Sequence, residues 1–252
     1  MKRPKSNRKK SDYEWPVSKS VAVNKGEWTM ERYVVKINEI EKLTHDTLRI
    51  STGRPPGFLF EPGQATSLAP RMEGWENDMR PFTIASTPAD PMLEFIIKTY
   101  PEHDGTTEKL LAARVGDELV INGVYGTITY KGEGLFIAGG TGITPFISIF
   151  RDLNSQGAIG NNKLIYTNKT REDILLEKEI TGYLEDRVSF MLSREKAAGY
   201  LHGRIDRDLL KQHLWRDDLW IYLCGTPAMM NAVEEQLSSL GVSRDRLVKE
   251  EW

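Results

Sequence analysis

Gly134-Leu-Phe-Ile-Ala-Gly-Gly-Thr-Gly-Ile-Thr-Pro-Phe146 decides the fold of this 252-residue chain. Four apolar residues, Leu135 to Ala138, feed a glycine cluster that closes on Thr144-Pro145 and an amphipathic run. A short apolar run bounded by glycines suits a buried parallel strand. Pro145, with its fixed φ and no N–H to lose, suits the first position of a helix, with Thr144 as its cap. Strand, tight loop and helix would turn backbone N–H groups and a positive helix end toward an anion. Gly139, Gly140 and Gly142, with Thr141 between them, would let the main chain approach it closely. Pro145 also takes the place of the third glycine of G-x-G-x-x-G, so the stretch departs from the ordinary dinucleotide fingerprint.

Downstream, strands and helices alternate. A helix is expected over Pro145 to Gln156, with Phe146, Ile149, Phe150 and Leu153 on one face, and another over Asp173 to Tyr183. Strands are expected at Lys163–Thr167, Ser189–Leu192 and Leu219–Cys224, and a short helix over Asp206–His213. A last helix is capped by Thr226, opens on Pro227 and is stopped by Gly241. Such alternation predicts a doubly wound parallel α/β sheet with ligands outside the strand C-terminal ends, where Gly139 and Cys224-Gly225 lie.

Upstream, residues from about Trp28 to Tyr130 read as short strands broken by turns: Arg32–Ile37, Thr47–Ile50, Arg80–Ser86, Leu93–Lys98, Glu118–Ile121 and Val124–Tyr130. Only Thr107 to Arg114 reads as helical. This spacing predicts a six-stranded antiparallel β-barrel. The pattern changes at Lys131-Gly-Glu-Gly134, which divides the chain into an extension (1–27), a barrel domain (28–131) and an α/β domain (132–252).

Composition bounds the function. The chain is 39% hydrophobic and 28% charged, with no run approaching the ~18 apolar residues of a membrane span and no secretory leader, so a soluble cytoplasmic enzyme is expected. The single cysteine, Cys224, can hold neither a disulfide nor an iron–sulfur cluster alone, and the four histidines show no metal spacing. Any redox centre is therefore bound non-covalently. Six basic residues crowd the first ten positions, leaving 28 basic against 36 acidic residues in the body. Nucleic-acid binding is not expected, since no basic, aromatic-interleaved patch continues that footprint.

Arg80-Pro-Phe-Thr83 carries a resemblance. Arginine, any residue, aromatic, Ser/Thr resembles the flavin signature of the ferredoxin-NADP reductase family, and further family segments follow in order: Gly105-Thr-Thr107, Gly139 to Pro145, and Cys224-Gly-Thr-Pro227. The resemblance runs from about Arg32 to Trp252. Read chemically, Arg80 offers a planar fork for a pyrophosphate, with no nearby carboxylate expected to compete, Phe82 a ring face for the isoalloxazine and Thr83 a short donor near flavin N5. The resemblance implies FAD on the barrel, held by Arg80, Pro81, Phe82 and Thr83 and by a second segment, Thr99, Tyr100, Gly105, Thr106 and Thr107. The glycine loop (Gly139, Gly140, Thr141, Gly142, Thr144) would take the nicotinamide nucleotide's pyrophosphate, and Cys224 and Gly225 would border the nicotinamide.

Ser193-Arg194, in Ser193–Arg204, resembles the 2′-phosphate loop of NADPH-using members, especially bacterial flavodoxin reductases, although Ser-Arg also occurs in NADH-using relatives; NADPH is favoured and NADH stays open. The resemblance implies that Cys224 shapes the nicotinamide pocket, that Glu250 helps arrange the site and that Trp252 stacks on the flavin; a thiolate nucleophile is not expected at Cys224. Thr83, Cys224, Glu250 and Trp252 are thus the expected catalytic residues. The implied enzyme is a monomeric FAD-dependent NAD(P)H oxidoreductase. It passes hydride between nicotinamide and flavin and single electrons to flavodoxin, ferredoxin or an oxygenase component. A free-flavin reductase and an electron-relay subunit or redox sensor are the alternatives.

Overall fold

Alternation of inward and outward side chains builds the first half of the chain. The computed structural model describes residues 32–102 and 105–250; the basic extension 1–27, His103-Asp104 and Trp252 lie outside the described residues. In order come β1 (Arg32–Thr44), β2 (Thr47–Gly53), β3 (Ala65–Pro70), β4 (Arg80–Thr83), β5 (Met92–Lys98), α1 (Thr106–Lys109) and β6 (Glu118–Tyr125). β1 buries Val35 and Ile37 and turns Val34 and Lys36 outward, the period-2 pattern of a strand with one face on a core. The six strands form an antiparallel sheet in the order β4-β3-β6-β1-β2-β5. An antiparallel bridge between Ile84 and Phe95 joins its two end strands and closes it into a barrel. Ile37, Ile50, Leu68, Phe95 and Ile121 fill the inside.

The barrel has the expected strand number but not the expected set. Val124–Tyr130 is not a strand of its own: β6 absorbs Val124 and Tyr125, and Gly126, at φ +125°, breaks the ladder. The sixth strand is β3, which the sequence reading passed over. The helical stretch after Gly105 is one α-turn followed by the 3-10 turn Leu110–Ala112.

The second half adds β7 (Gly134–Gly139), α2 (Thr144–Ser155), β8 (Lys163–Asn168), α3 (Glu177–Leu184), β9 (Val188–Leu192), β10 (Leu201–His202), α4 (Arg207–His213), β11 (Trp220–Cys224), α5 (Pro227–Ser239) and β12 (Leu247–Lys249). These strands are parallel, in the order β10-β9-β8-β7-β11-β12. The chain winds one way from β7 to β10, then returns to the other side of β7 with β11. The C-terminal ends of β7 and β11 therefore flank the switch point, where α/β sheets open a crevice. Phe146 and Phe150 of α2 pack on Phe136 of β7, while Ile221, Met230 and Val233 pack on the opposite face.

Two local expectations change. Thr144 is the first residue of α2, not its cap; its Oγ1 donates to the Thr141 carbonyl (2.9 Å), and the 3-10 turn Gly140–Ile143 leads in. The helix expected from Asp173 starts at Glu177. Asp173 caps only a 3-10 turn, accepting from Thr170 N and Oγ1 (both 2.8 Å), and Ile174 and Leu175 then run into the core.

The two sheets meet over a continuous core in which Ala85, Ile96 and Ile128 of the first half join Phe146 and Ile149. Polar ties cross it. Ser148 Oγ donates to the Ser86 carbonyl (2.8 Å), and Arg151 binds the Glu179 carboxylate through Nε and Nη2 (2.6 and 3.1 Å) and Glu94 and the Ala85 carbonyl through Nη1 (2.6 and 3.0 Å). Burial works against the Arg151 charge, but the two carboxylates outweigh it and hold its pKa above the ordinary arginine value.

Candidate functional site

A Cβ on Gly142 would stand 2.4 Å from the Cys224 carbonyl oxygen, so only glycine lets the loop after β7 lie against the end of β11. Gly139 is close-packed against a side chain instead, with Met229 Sδ 2.3 Å from where its Cβ would be. These approaches follow from the parallel register, which sets Ala138 beside Cys224 and leaves Gly139 and Gly225 to emerge together. The loop is tied down from below: the fully buried Tyr166 hydroxyl donates to the Gly140 carbonyl (3.1 Å) and accepts from Leu175 N (3.3 Å).

Facing this loop across a cleft of about 270 Å³ is the barrel edge at β4 and β5. Pro81, Phe82, Thr83, Lys98, Tyr100 and Thr107 form the barrel wall. Gly139, Thr141, Gly142, Thr144, Cys224 and Gly225 form the other, and Glu250 reaches the same space. The cleft thus gathers residues from all four motif segments. Lys98 was not anticipated; a lysine closing the strand pattern Leu93-Glu-Phe-Ile-Ile97 was its only signal. Asp46 anchors it at 2.5 Å, and Lys98 holds the Asp46 carboxyl below the ordinary range although burial alone would raise it. His45, Asp46 and Asp173 bring ligand-type atoms within 4.8 Å of one another, but Lys98 and the Thr170 capping box engage the two carboxylates.

Other expected residues stand off the cleft wall. Thr99 is buried, with N and Oγ1 donating to the Asp46 carbonyl (2.7 and 2.9 Å). Gly105 caps α1, Gly140 opens the 3-10 turn, and Thr106 is buried with its hydroxyl turned to Asp78. Arg80 does have a carboxylate competitor, contrary to expectation: Asp78 Oδ1 lies 2.8 Å from Nη2. Ser193 and Arg194 follow β9. Ser193 donates through N and Oγ to the Asn168 carbonyl (2.9 and 3.2 Å) and Arg194 N to the Lys169 carbonyl (2.9 Å), which stitches the loop after β9 to the loop after β8. Arg171, in the latter loop, lies 5.5 Å over the Tyr200 ring of the former.

Electrostatics single out the β11 end. Burial pushes the Glu250 carboxyl up to about 7. Burial, and then the nearby Glu250 charge, push the Cys224 thiol well above its ordinary value, so it is a neutral thiol at physiological pH. Burial raises the Tyr125 phenol too; its hydroxyl meets Ser67 Oγ at 2.8 Å. A carboxyl poised near neutrality in a cleft can hold or release a proton there.

The donor set fits a flavin dinucleotide on the barrel side. Phe82 supplies an aromatic face and Thr83 a hydroxyl, and among the described residues the guanidinium of Arg80 has one acceptor, Asp78, against five N–H donors. The glycine-confined approach of β7 and β11 suits a second nucleotide opposite.

Residues 32–126 match the family described as FAD-binding domain, and residues 136–235 the oxidoreductase NAD-binding domain. The NADH-cytochrome b5 reductase 1 of Aspergillus oryzae is 31% identical over 242 residues, covering 86% of this chain and 81% of its own length. The reductase component of propane 2-monooxygenase from Rhodococcus jostii is 30% identical over 232 residues, covering 84% of this chain; the chain spans 61% of that relative. A crystal structure of a ferredoxin NADP+ reductase from Neisseria gonorrhoeae with bound FAD and NADP has the same fold, with a TM-score of 0.76 at 21% identity, over 87% of this chain and 98% of that one.

Proposed function

The chain belongs to the ferredoxin-NADP reductase family, and from that premise we propose that it is an FAD-dependent NAD(P)H oxidoreductase passing electrons to a one-electron carrier: a flavodoxin, a ferredoxin or an oxygenase component. The observation that carries this reading is the meeting of Phe82-Thr83 and of Gly139, Thr141 and Gly142 with Cys224 in one cleft. FAD, held on the barrel, supplies the capacity to take hydride from nicotinamide and release electrons singly. The protein supplies alignment.

Pro81, Phe82 and Thr83 would line the flavin ring, Arg80 and the segment Thr99 to Thr107 the phosphates, within a unit of residues 28–131. Residues 132–252 would bind the nicotinamide nucleotide. The Gly139–Thr144 loop would take its pyrophosphate, and Cys224 and Gly225 would border its nicotinamide. The neutral Cys224 thiol adds bulk without charge at this wall of the cleft. Glu250, near half protonation at neutral pH, holds a proton at the cleft wall. Ser193-Arg194, on the stitched loops after β8 and β9 and beside Glu195, supports NADPH over NADH with this pair at the 2′-phosphate.

Anaerobic titration with NADPH and with NADH, followed at the oxidised-flavin band at about 450 nm, tests the reading. Bleaching by both is expected, with NADPH effective at lower concentration. A yellow protein that neither nucleotide bleaches would overturn the function, and equal titration curves would overturn the preference. Steady-state reduction of flavodoxin or ferredoxin faster than of free FMN would support the carrier assignment; the reverse order would overturn it.

A further inference from the structure

Between β3 and β4 the chain makes a nine-residue excursion, Arg71-Met-Glu-Gly-Trp-Glu-Asn-Asp-Met79, that belongs to none of the four motif segments. It is nevertheless held at several points. Two successive turns, Trp75 N to Met72 O and Asp78 N to Trp75 O (2.9 Å each), fold it back. Lys109 of α1 places its ammonium 4.6 Å from the Trp75 ring centre, and Arg32 donates to the Glu76 carbonyl (2.6 Å) and to Asn77 Oδ1 (3.2 Å).

Asp78 is the point on which this clamping converges. Its Oδ1 takes Nη2 of Arg80 at 2.8 Å, and its Oδ2 lies 3.1 Å from the Thr106 hydroxyl, which also bonds the Asp78 backbone carbonyl. Arg80 and Thr106 are 26 residues apart and sit on β4 and α1, the two segments assigned above to the flavin phosphates. An unrestrained arginine would lose rotamer freedom on meeting an anion; one already held by a carboxylate loses less. A guanidinium presents two usable edges, so a carboxylate on one orients the other.

Resting on the flavin assignment made above, we propose that Asp78 is a positioning residue for the diphosphate. It locks β4 to α1 in one relative placement and aims the free edge of Arg80. Its negative charge opposes the same diphosphate, so orientation and repulsion pull in opposite directions, and Asp78→Asn separates them. An asparagine keeps an acceptor for Arg80 and can donate to the Thr106 oxygen while that hydroxyl stays on the backbone carbonyl, but it carries no charge.

The test is the affinity of the deflavinated protein for FAD and for riboflavin, read by quenching of flavin fluorescence, in wild type, D78A, D78N, R80A and the D78A/R80A double variant. D78A is expected to weaken FAD about tenfold, or ~1.4 kcal/mol. D78N should bind FAD at least as well as wild type, riboflavin affinity should be the same in all, and D78A should add little once Arg80 is gone. Equal tightening by D78A and D78N would overturn the proposal, because repulsion alone would then govern. Loss of riboflavin affinity in D78A, or additive effects in the double variant, would also overturn it, since Asp78 would then act through general structure and not through Arg80. Failure of R80A itself to weaken FAD would instead overturn the flavin assignment. If D78A does not fold, D78S carries the same prediction: weaker FAD with unchanged riboflavin supports the proposal, and unchanged FAD overturns it.

Discussion

Glu250→Gln should stabilise the folded chain increasingly as pH rises from about 4.5 to about 7 and leave it unchanged below that range. The Glu250 carboxyl has an ordinary value of 4.5 and burial lifts it to about 7 in the folded state. The folded state therefore holds the proton more tightly than the unfolded chain does. The stability linked to that proton is fully present below about pH 4.5 and is lost as pH rises to about 7. Integrating the linkage relation, the loss is roughly 1 kcal/mol at pH 5, about 2 at pH 6 and about 3 at pH 8. Glutamine is close in shape to the protonated carboxyl and carries no charge at any of these values, so it removes the loss. For a chain of this length about 3 kcal/mol corresponds to a rise in Tm of roughly 6–12 °C at pH 8, shrinking to a few degrees at pH 5. Thermal unfolding of the deflavinated protein, wild type against E250Q across pH 5 to 8, measures it directly. A Tm difference that does not change with pH would refute the reasoning, since burial of a charge would then not be the cause.

Gly142→Ala sets a methyl group 2.4 Å from the Cys224 carbonyl oxygen, which neither backbone can yield cheaply. Nicotinamide affinity should fall more than tenfold while FAD binding persists, and stability should drop by about 2 kcal/mol or more in urea unfolding. Arg151→Ala leaves Glu94 and Glu179 facing each other at the domain junction without their shared cation. A cost of about 3 kcal/mol is expected, with R151K recovering part of it; an unchanged urea midpoint for R151A would refute the junction's importance.

What could be read from the chain in advance depended on how local the cause was. β7, β8 and β11 are apolar runs between turns, and their identity is written in a handful of adjacent side chains. β3 is not: Ala65-Thr-Ser-Leu-Ala-Pro70 has one large apolar residue, and its strand state comes from pairing with β4 and β6 on either side. Val124–Tyr130 looked continuous because its β-forming residues are, yet one glycine at positive φ ends the ladder inside it. Asp173, where a helix is expected to start, caps only a single 3-10 turn, and α3 begins four residues later at Glu177. At the cleft, the motif residues were legible because each motif is contiguous. The Asp78–Arg80–Thr106 and Lys98–Asp46 contacts were not, because they join segments whose side-chain directions only the closed barrel settles.

Helix α2 has a consequence for how such chains can be recombined. Its N-terminal end continues from the glycine loop, and within two turns Ser148 and Arg151 grip the carbonyls of Ser86 and Ala85, immediately past the Phe82-Thr83 wall. One rod of twelve residues therefore gauges the gap between the Phe82-Thr83 wall and the glycine loop. The halves of this protein are not interchangeable cassettes. A chimaera that takes its barrel from one parent and its parallel sheet from another would inherit a workable hydride distance only if the residues at 148 and 151 and their carbonyl partners came from compatible parents.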